Sequence, residues 1–506
     1  MSAAKIVNYR VCSMPRGCFA RRALLTPRAT PWASLNTHQS TSSRGIHASS
    51  RASLDMHWRH EPMAPVVGGR DPLVSTPEQA VQDIKSGDRV FVQGIAATPT
   101  LLTKALAERG KQEQLRGVRV YQLHTEGPCP LVDEECEDIF RVKSMFIGSN
   151  VRKATNEGRA DYIPVFLSET PLLFRRKYVD LDIAMVQVSP PDRHGYCSLG
   201  TSVDCTRAAL QCATTVIGQV NKYMPRTHGD GIIHISNFNR VVFHDSPIYQ
   251  TTPMPRNGIA DTIGKLVADT LVEDGATLQM GIGAIPNAML SSLENHKHLG
   301  VHSEMFSDGV LPLVRSGVIN GSMKSRDSGK LVATFLIGSQ ELYDFVDDNP
   351  MVDMVDVAYT NNPQVIAKQH KMTAVNSAIE VDLTGQVVSD SIGRKMYSGV
   401  GGQVDFLRGA AVSQGGKAII ALPSRTSKGQ PRIVPFIQEG AGVVTTRAHV
   451  HYVVTEHGVA FLFGKSMSKR ARDLINIAHP DDREYLEEQG RARGLLGPAP
   501  VQVQLD

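Results

Sequence analysis

Arg89-Val90-Phe91-Val92-Gln93, then the helix-forming stretch Thr100 to Arg109, then Val118-Arg119-Val120-Tyr121-Gln122-Leu123 decide how the chain is read. Two short β-branched runs separated by an amphipathic stretch predict a parallel βαβ unit, because parallel strands need a crossover that a helix supplies. The same alternation continues along the body of the chain, so the fold class is α/β, with helices covering parallel-rich sheets. Between His244 and Gly258 the prolines Pro247, Pro253 and Pro255 interrupt any periodicity and read as a linker. The expected division is therefore an α/β domain over 55–250 and a second over 258–506.

The two sides of that linker repeat a unit. Gly87-Asp88-Arg89-Val90-Phe91-Val92-Gln93 leads into Gly94-Ile95-Ala96-Ala97-Thr98-Pro99, and Gly275-Ala276-Thr277-Leu278-Gln279-Met280 leads into Gly281-Ile282-Gly283-Ala284-Ile285-Pro286. Each copy is a turn, a strand, G-I-x-A-x-P and a helix, followed by a strand ending in His124-Thr125-Glu126 or His302-Ser303-Glu304. In this ordered context a duplicated α/β domain is the favoured layout.

Composition limits the function. Apolar residues make up 41% and charged residues 21% of the 506, with no long apolar run, so a soluble globular class is expected and a membrane span is not. The net charge of +4 is unevenly distributed: residues 1–54 hold Lys5 and seven arginines and no acid before Asp55, leaving 46 basic against 50 acidic residues beyond them. A mildly acidic body argues against nucleic acid as a partner. The basic, Ser/Thr-rich first 54 residues lack a continuous apolar stretch and read as a mitochondrial transit peptide. Arg44-Gly45-Ile46-His47-Ala48-Ser49 resembles the two-step matrix-processing pattern, which puts cleavage in the low fifties and the mature protein in the matrix. The seven cysteines form no CxxC pair and HExxH is absent, so no metal site is expected.

Three stretches could carry chemistry. Gly281-Ile282-Gly283-Ala284-Ile285-Pro286-Asn287 stands between a strand and a helix, where backbone N–H groups can approach an anion. Taken alone it equally fits a tight turn, and it is neither a Walker loop nor a Rossmann loop, whose third glycine is replaced by Pro286. Glu304 follows an apolar segment, so it would emerge beyond the carboxyl end of a strand beside the Gly281 loop, placed to act as a nucleophile toward an activated acyl group or, more blandly, as a solvated loop carboxylate. Gly399-Val400-Gly401-Gly402 offers successive peptide N–H groups, as an oxyanion hole or as a flexible turn. No G-x-S-x-G elbow competes, and no cysteine stands near a glycine-rich signature.

Together with Asn376-Ser377-Ala378-Ile379-Glu380-Val381-Asp382-Leu383-Thr384-Gly385-Gln386, Ser189-Pro190-Pro191-Asp192, Asn221 with Met224-Pro225-Arg226-Thr227, and Val453-Val454-Thr455-Glu456-His457-Gly458, these stretches resemble the acetyl-CoA hydrolase and 4-hydroxybutyrate/acetate CoA-transferase family. The resemblance runs in the family's order from about residue 65 to about 490. It implies two CoA-transferase-type (NagB/RpiA-like) α/β domains with the active site in the cleft between them. It also implies Glu304 as nucleophile, Gly281, Ile282, Gly283, Ala284 and Ile285 as a CoA-contacting loop, and Gly399, Val400, Gly401 and Gly402 as further CoA or oxyanion contacts. Lys428 is a CoA contact by the same likeness, with Arg425 as its alternative. The implied reaction moves CoA from a short-chain acyl-CoA such as acetyl-CoA to acetate, succinate or 4-hydroxybutyrate through a glutamyl-CoA thioester, with CoA and acyl-CoA as substrates and no permanently bound cofactor. Hydrolysis of acetyl-CoA is the rival reading, and a non-catalytic acyl-CoA-binding protein a third. The acyl pair stays open, as does the assembly, for which a homodimer is one option.

Overall fold

The computed structural model describes residues 65–251 and 257–497. The transit-peptide reading and the linker prolines Pro253 and Pro255 lie outside the described residues. The order of elements follows the expected alternation: the predicted strand at 89–93 is Arg89–Val92, the predicted helix extends over Thr100–Gln112, and the next strand is Val118–Gln122.

Eight strands form the first sheet. Their order is Leu73–Val74, Arg240–Phe243, Thr215–Val220, Ile183–Val188, Arg89–Val92, Val118–Gln122, Phe140–Ser144 and Asp161–Tyr162, and every neighbouring pair is parallel. Its central strands are apolar on both faces, as Ile183–Val188 illustrates with all its residues buried, which is what helices on both sides of a parallel sheet require.

The second sheet has eleven strands. Its spine runs Tyr452–Thr455, Lys417–Ala421, Met372–Asn376, Thr277–Met280, Gly300–His302, Leu331–Ala333 and Val352–Met354, all parallel. An antiparallel hairpin strand, Gly458–Phe461, closes one edge. The other edge is His228–Gly229, a piece of chain that precedes the proline-rich segment and pairs with Asp353 and Met354. The first half thus contributes a strand to the second sheet. One cluster of buried apolar side chains also spans both, from Phe91 and Val186 to Leu278 and Val301. Burying each of these is worth roughly 1.5–3 kcal/mol, so the shared core holds the sheets against each other.

The sequence repeat corresponds to the central strand of each sheet, but the two loops differ. Gly94 to Thr98 is buried, with Ile95 at φ +54° and the Gly94 backbone pressed against the His124 carbonyl. The loop at 281–283 lies open: Ile282 is 51% exposed and nothing stands within 4 Å of where a Cβ on Gly281 would be.

Candidate active site

Thr277–Met280 is where the second sheet reverses its order. The chain proceeds from it to Gly300–His302, Leu331–Ala333 and Val352–Met354 on one side, then returns to Met372–Asn376 on the other. In open α/β sheets the crevice for ligands opens beyond the carboxyl ends of strands at such a reversal. Gly281, Ile282 and Gly283 occupy that position, and Gly283, at φ +131°, caps the helix Ala284–Ser291 in a conformation that suits only glycine.

Glu304 emerges at the same point. The Ser303 hydroxyl donates to the Met280 carbonyl at 3.0 Å and accepts from the Met280 N–H at 3.2 Å, and Met305 then pairs antiparallel with Met280. The chain therefore turns back at Ser303-Glu304, while the Glu304 carbonyl accepts from the Thr334 and Phe335 amides at 3.0 and 3.3 Å. With its backbone fixed on both sides, the partly buried Glu304 side chain meets two donors. Asn361 Nδ2 donates to Oε2 at 2.9 Å, and the Gly402 backbone N–H faces the carboxylate closely enough to favour its charged form. Burial pushes the Glu304 carboxyl up to about 7, against the pull of Asn361, the Gly402 amide and the nearby His124. A poorly solvated carboxylate that loses its proton near neutral pH has the chemistry a nucleophile needs.

The donors are themselves held. Asn361 ends the helix Val357–Thr360, whose first turn is capped by Asp356, the Ala358 N–H donating to Asp356 Oδ1 at 2.8 Å. Arg175, on the helix Thr170–Arg175 of the first half, pairs with the buried Asp356 carboxylate at 2.7 Å. At the other end His302 Nε2 donates to the Thr360 carbonyl at 2.8 Å, leaving Nδ1 to accept from Gln369. Burial, with Lys324 nearby, lowers the His302 pKa to about 4, so the ring is neutral and a positioning group.

Gly402 fits because it has no side chain: a Cβ there would stand 2.1 Å from both Glu304 Oε2 and Asn361 Nδ2. The remaining glycine cluster docks on the first half. The Leu167 amide donates to the Gly401 carbonyl at 3.0 Å, and a Cβ on Gly399 or Gly401 would touch the Phe146 ring. The Val400 N–H, one of the expected oxyanion donors, is taken by Tyr162 Oη at 3.0 Å, so of this cluster Gly402 is the member that reaches the carboxylate. Two residues into the helix Gln403–Val412, Asp405 is only 4% exposed and accepts from the Ser168 N–H and hydroxyl at 3.1 and 2.8 Å. Burial pushes its carboxyl up to about 7 as well, with the Glu304 charge adding to the effect.

Lys428 is exposed on the turn closed by Thr426 and Gln430. Arg425 spans Asp482 with two bonds of 2.9 and 2.6 Å and reaches Asp481, which commits it to anchoring the helix Pro480–Ala492 rather than to a ligand. Two other glutamates at strand ends, Glu126 of the repeat and Glu456 of the late motif, are partnered differently. Glu126 pairs with His124 at 2.9 Å, and Glu456 accepts from the Ser424 amide and hydroxyl at 2.9 and 2.6 Å. Among the described residues no group of three or more His, Cys, Asp or Glu could hold a metal ion, and no helix is long and apolar enough to cross a membrane. Sequence reasoning missed Asn361, Asp356 and Arg175: a lone Asn or Asp at either end of a short helix has no motif, and its function exists only once the two halves meet.

Two parallel-rich sheets that share a core, with a poorly solvated carboxylate at the reversal of one and glycine loops on either side, define an α/β acyl-transfer enzyme. Residues 72–253 match the acetyl-CoA hydrolase/transferase N-terminal domain, and residues 338–490 the C-terminal domain. The chain is 53% identical over 460 residues, covering 90% of it and 96% of the relative, to the succinyl-CoA:acetate/propanoyl-CoA:succinate CoA transferase of Fasciola hepatica. It is 48% identical, over 83% of this chain and 97% of the relative, to the 4-hydroxybutyrate coenzyme A transferase of Clostridium kluyveri. Among solved structures, RipA from Yersinia pestis aligns with a TM-score of 0.79 at 35% identity, covering 84% of this chain and 98% of that one. The chain belongs to the acetyl-CoA hydrolase/transferase family, and it is an enzyme of the CoA-transferase type in a family that also includes acetyl-CoA hydrolases. Glu304 and the Gly281 loop fall between the two matched domain segments, so their role is argued from geometry.

Proposed function

We propose that the enzyme transfers CoA from a short-chain acyl-CoA to a short-chain carboxylate, with Glu304 as the covalent nucleophile, in the mitochondrial matrix. The observation that carries this reading is the Glu304 carboxylate at the sheet reversal, half out of water, bonded by Asn361 and faced by the Gly402 backbone. Its ionised oxygen attacks the thioester carbonyl carbon, the C–S bond breaks, and the CoA thiolate leaves behind a mixed anhydride. The thiolate then attacks the Glu304 carboxyl carbon, the anhydride C–O bond breaks, and the first acid departs, leaving a glutamyl-CoA thioester. An incoming carboxylate runs these two steps in reverse and leaves as its CoA ester. Charge develops on the Glu304 carbonyl oxygen when the thiolate attacks, where the Asn361 and Gly402 donors already point. No proton is gained or lost overall, and one thioester replaces another, so the exchange needs no ATP, metal or redox group.

The open space beside Gly281 and the glycine at position 283 suit the approach of a CoA phosphate or pantetheine segment to the helix start, with Ile282, Ala284 and Ile285 alongside. The exposed Lys428 suits a longer-range contact with the nucleotide's phosphates. The acceptor class is small monocarboxylates and dicarboxylates, in keeping with the names of two transferases similar to the chain. Purified mature enzyme given acetyl-CoA and a panel of acids tests the reading, with free thiol and new acyl-CoA followed together. Rapid appearance of a new acyl-CoA with little free thiol is expected. Thiol release at the same rate with and without an acceptor makes hydrolysis the function instead. N-terminal sequencing of the native protein tests the compartment: a start in the low fifties is expected, and a start at Ser2 or Ala3 contradicts it.

A further inference from the structure

From Met396 to Gly401 the second half is tied to the first almost residue by residue. The Asn156 side-chain amide, at the end of the helix Ser149–Asn156, donates to the Met396 carbonyl at 2.9 Å and accepts from the Met396 N–H at 3.0 Å, much as a neighbouring strand would. Arg152 Nε donates to the Tyr397 carbonyl at 2.7 Å, and the Ile147 N–H to the Ser398 carbonyl at 3.2 Å. Tyr162 Oη, at the end of the edge strand Asp161–Tyr162, accepts from the Val400 N–H at 3.0 Å, and the Leu167 N–H donates to the Gly401 carbonyl at 3.0 Å. The next residue is Gly402, whose backbone faces Glu304 so closely that a Cβ on it would stand 2.1 Å from Oε2.

The bond to Gly401 governs where the Gly402 N–H points. That N–H belongs to the same peptide group as the Gly401 carbonyl, and in a planar trans peptide the C=O and the N–H point in opposite directions. With its oxygen held by Leu167, the peptide directs its N–H away from Leu167, to the side on which the Gly402 backbone faces Glu304. A donor on the carbonyl also polarises the peptide and strengthens its N–H as a donor. Tyr162 holds the chain two peptides earlier, through the Val400 N–H. We propose that the Leu167 amide and the Tyr162 hydroxyl are positioning groups for the reaction: they orient the peptide between Gly401 and Gly402 so that its N–H meets the Glu304 carboxylate and the oxyanion formed on it. Both come from the first half, so this donor is aimed at the nucleophile by the docking of one half on the other. The proposal rests on the reading of Glu304 as nucleophile and deepens it.

The test removes each contact in the whole enzyme and reads kcat and KM for transfer. Phe166 is extended and Leu167 opens the short turn Leu167–Glu169, a place that accepts proline, so Leu167→Pro removes the N–H, while Leu167→Ala keeps it at a similar loss of buried side chain. The kcat of Leu167→Pro is expected to be roughly 10-fold below that of Leu167→Ala, with KM for acyl-CoA within about twofold. Tyr162→Phe deletes one oxygen atom and leaves the backbone alone: kcat should fall roughly 3- to 10-fold at unchanged KM. In a Gly402→Ala background, where the peptide is already displaced, Tyr162→Phe should change kcat by less than about twofold, because it acts through that peptide. Equal kcat in the two Leu167 variants, an unchanged kcat in Tyr162→Phe whatever its melting temperature, or the same fold loss from Tyr162→Phe with and without Gly402→Ala overturns the proposal. Should Leu167→Pro fail to fold, the Tyr162 variants decide alone. Should Glu304→Gln still exchange CoA, the nucleophile assignment itself fails, a result separable from every outcome at Tyr162 and Leu167.

Discussion

A carboxylate kept out of water should cost the protein stability, and Glu304→Gln measures how much. In the unfolded chain this carboxyl ionises near its ordinary 4.5, whereas burial in the folded site pushes it up to about 7. Below about 4.5 both states are protonated and the difference vanishes. Between the two values the folded protein keeps a proton that the unfolded chain has released, so stability falls as pH rises through this window and levels off above it. The full shift corresponds to about 3 kcal/mol, and water reaching the partly buried group trims this to about 2 kcal/mol. Glutamine keeps the shape and an acceptor for Asn361 and Gly402 without the charge. The variant should therefore melt about 2 °C above wild type at pH 8, the gain shrinking to nothing toward pH 4, by calorimetry at matched salt. A variant equally or less stable at pH 8, or one whose gain does not depend on pH, would refute the claim that the site holds an unwilling anion.

Other substitutions probe how the site is assembled. Gly402→Ala places a methyl group on Glu304 Oε2 and Asn361 Nδ2, so kcat should fall by about 100-fold or more while acyl-CoA still binds, as measured by steady-state kinetics and calorimetric titration. Arg175→Met removes a cation paired with the buried Asp356 carboxylate, and denaturant unfolding should register a loss of about 3 kcal/mol together with slower transfer as the Asn361 helix loosens. Glu456→Gln should leave the rate of exchange within a few-fold of wild type, because that carboxylate serves as an acceptor for Ser424, and a collapse of kcat would be evidence against the present assignment.

The sheets were legible because their strands are short β-branched runs at βαβ spacing, and that local signal survives folding: Arg89–Val92 and Val118–Gln122 form where the pattern predicts them. The Gly281 loop and Glu304 were legible for a topological reason, since both end strands and strand ends at a sheet reversal converge. What could not be read depends on contacts remote in sequence. Asn361 matters because a reversal at Ser303-Glu304 brings a carboxylate to it, and Gly401 because Leu167, far ahead in the chain, bonds to it. The glycine cluster shows the limit of motif reading: its composition suggested a row of free N–H groups, yet Val400 is bound by Tyr162 and Gly399 and Gly401 make room for Phe146, leaving Gly402 at the carboxylate. The strand His228–Gly229, which joins the second sheet from before the proline-rich segment, is too short to carry any periodic signal.

The central claim is that Glu304 becomes covalently bound to CoA. Wild-type enzyme is incubated with acyl-CoA alone, reduced with borohydride, digested, and its peptides mapped by mass spectrometry. Reduction of a glutamyl-CoA thioester to the alcohol at Glu304, absent without acyl-CoA, is the predicted result. Modification at Glu126 or Glu456 instead, or no modification while the enzyme still exchanges CoA, would contradict the account.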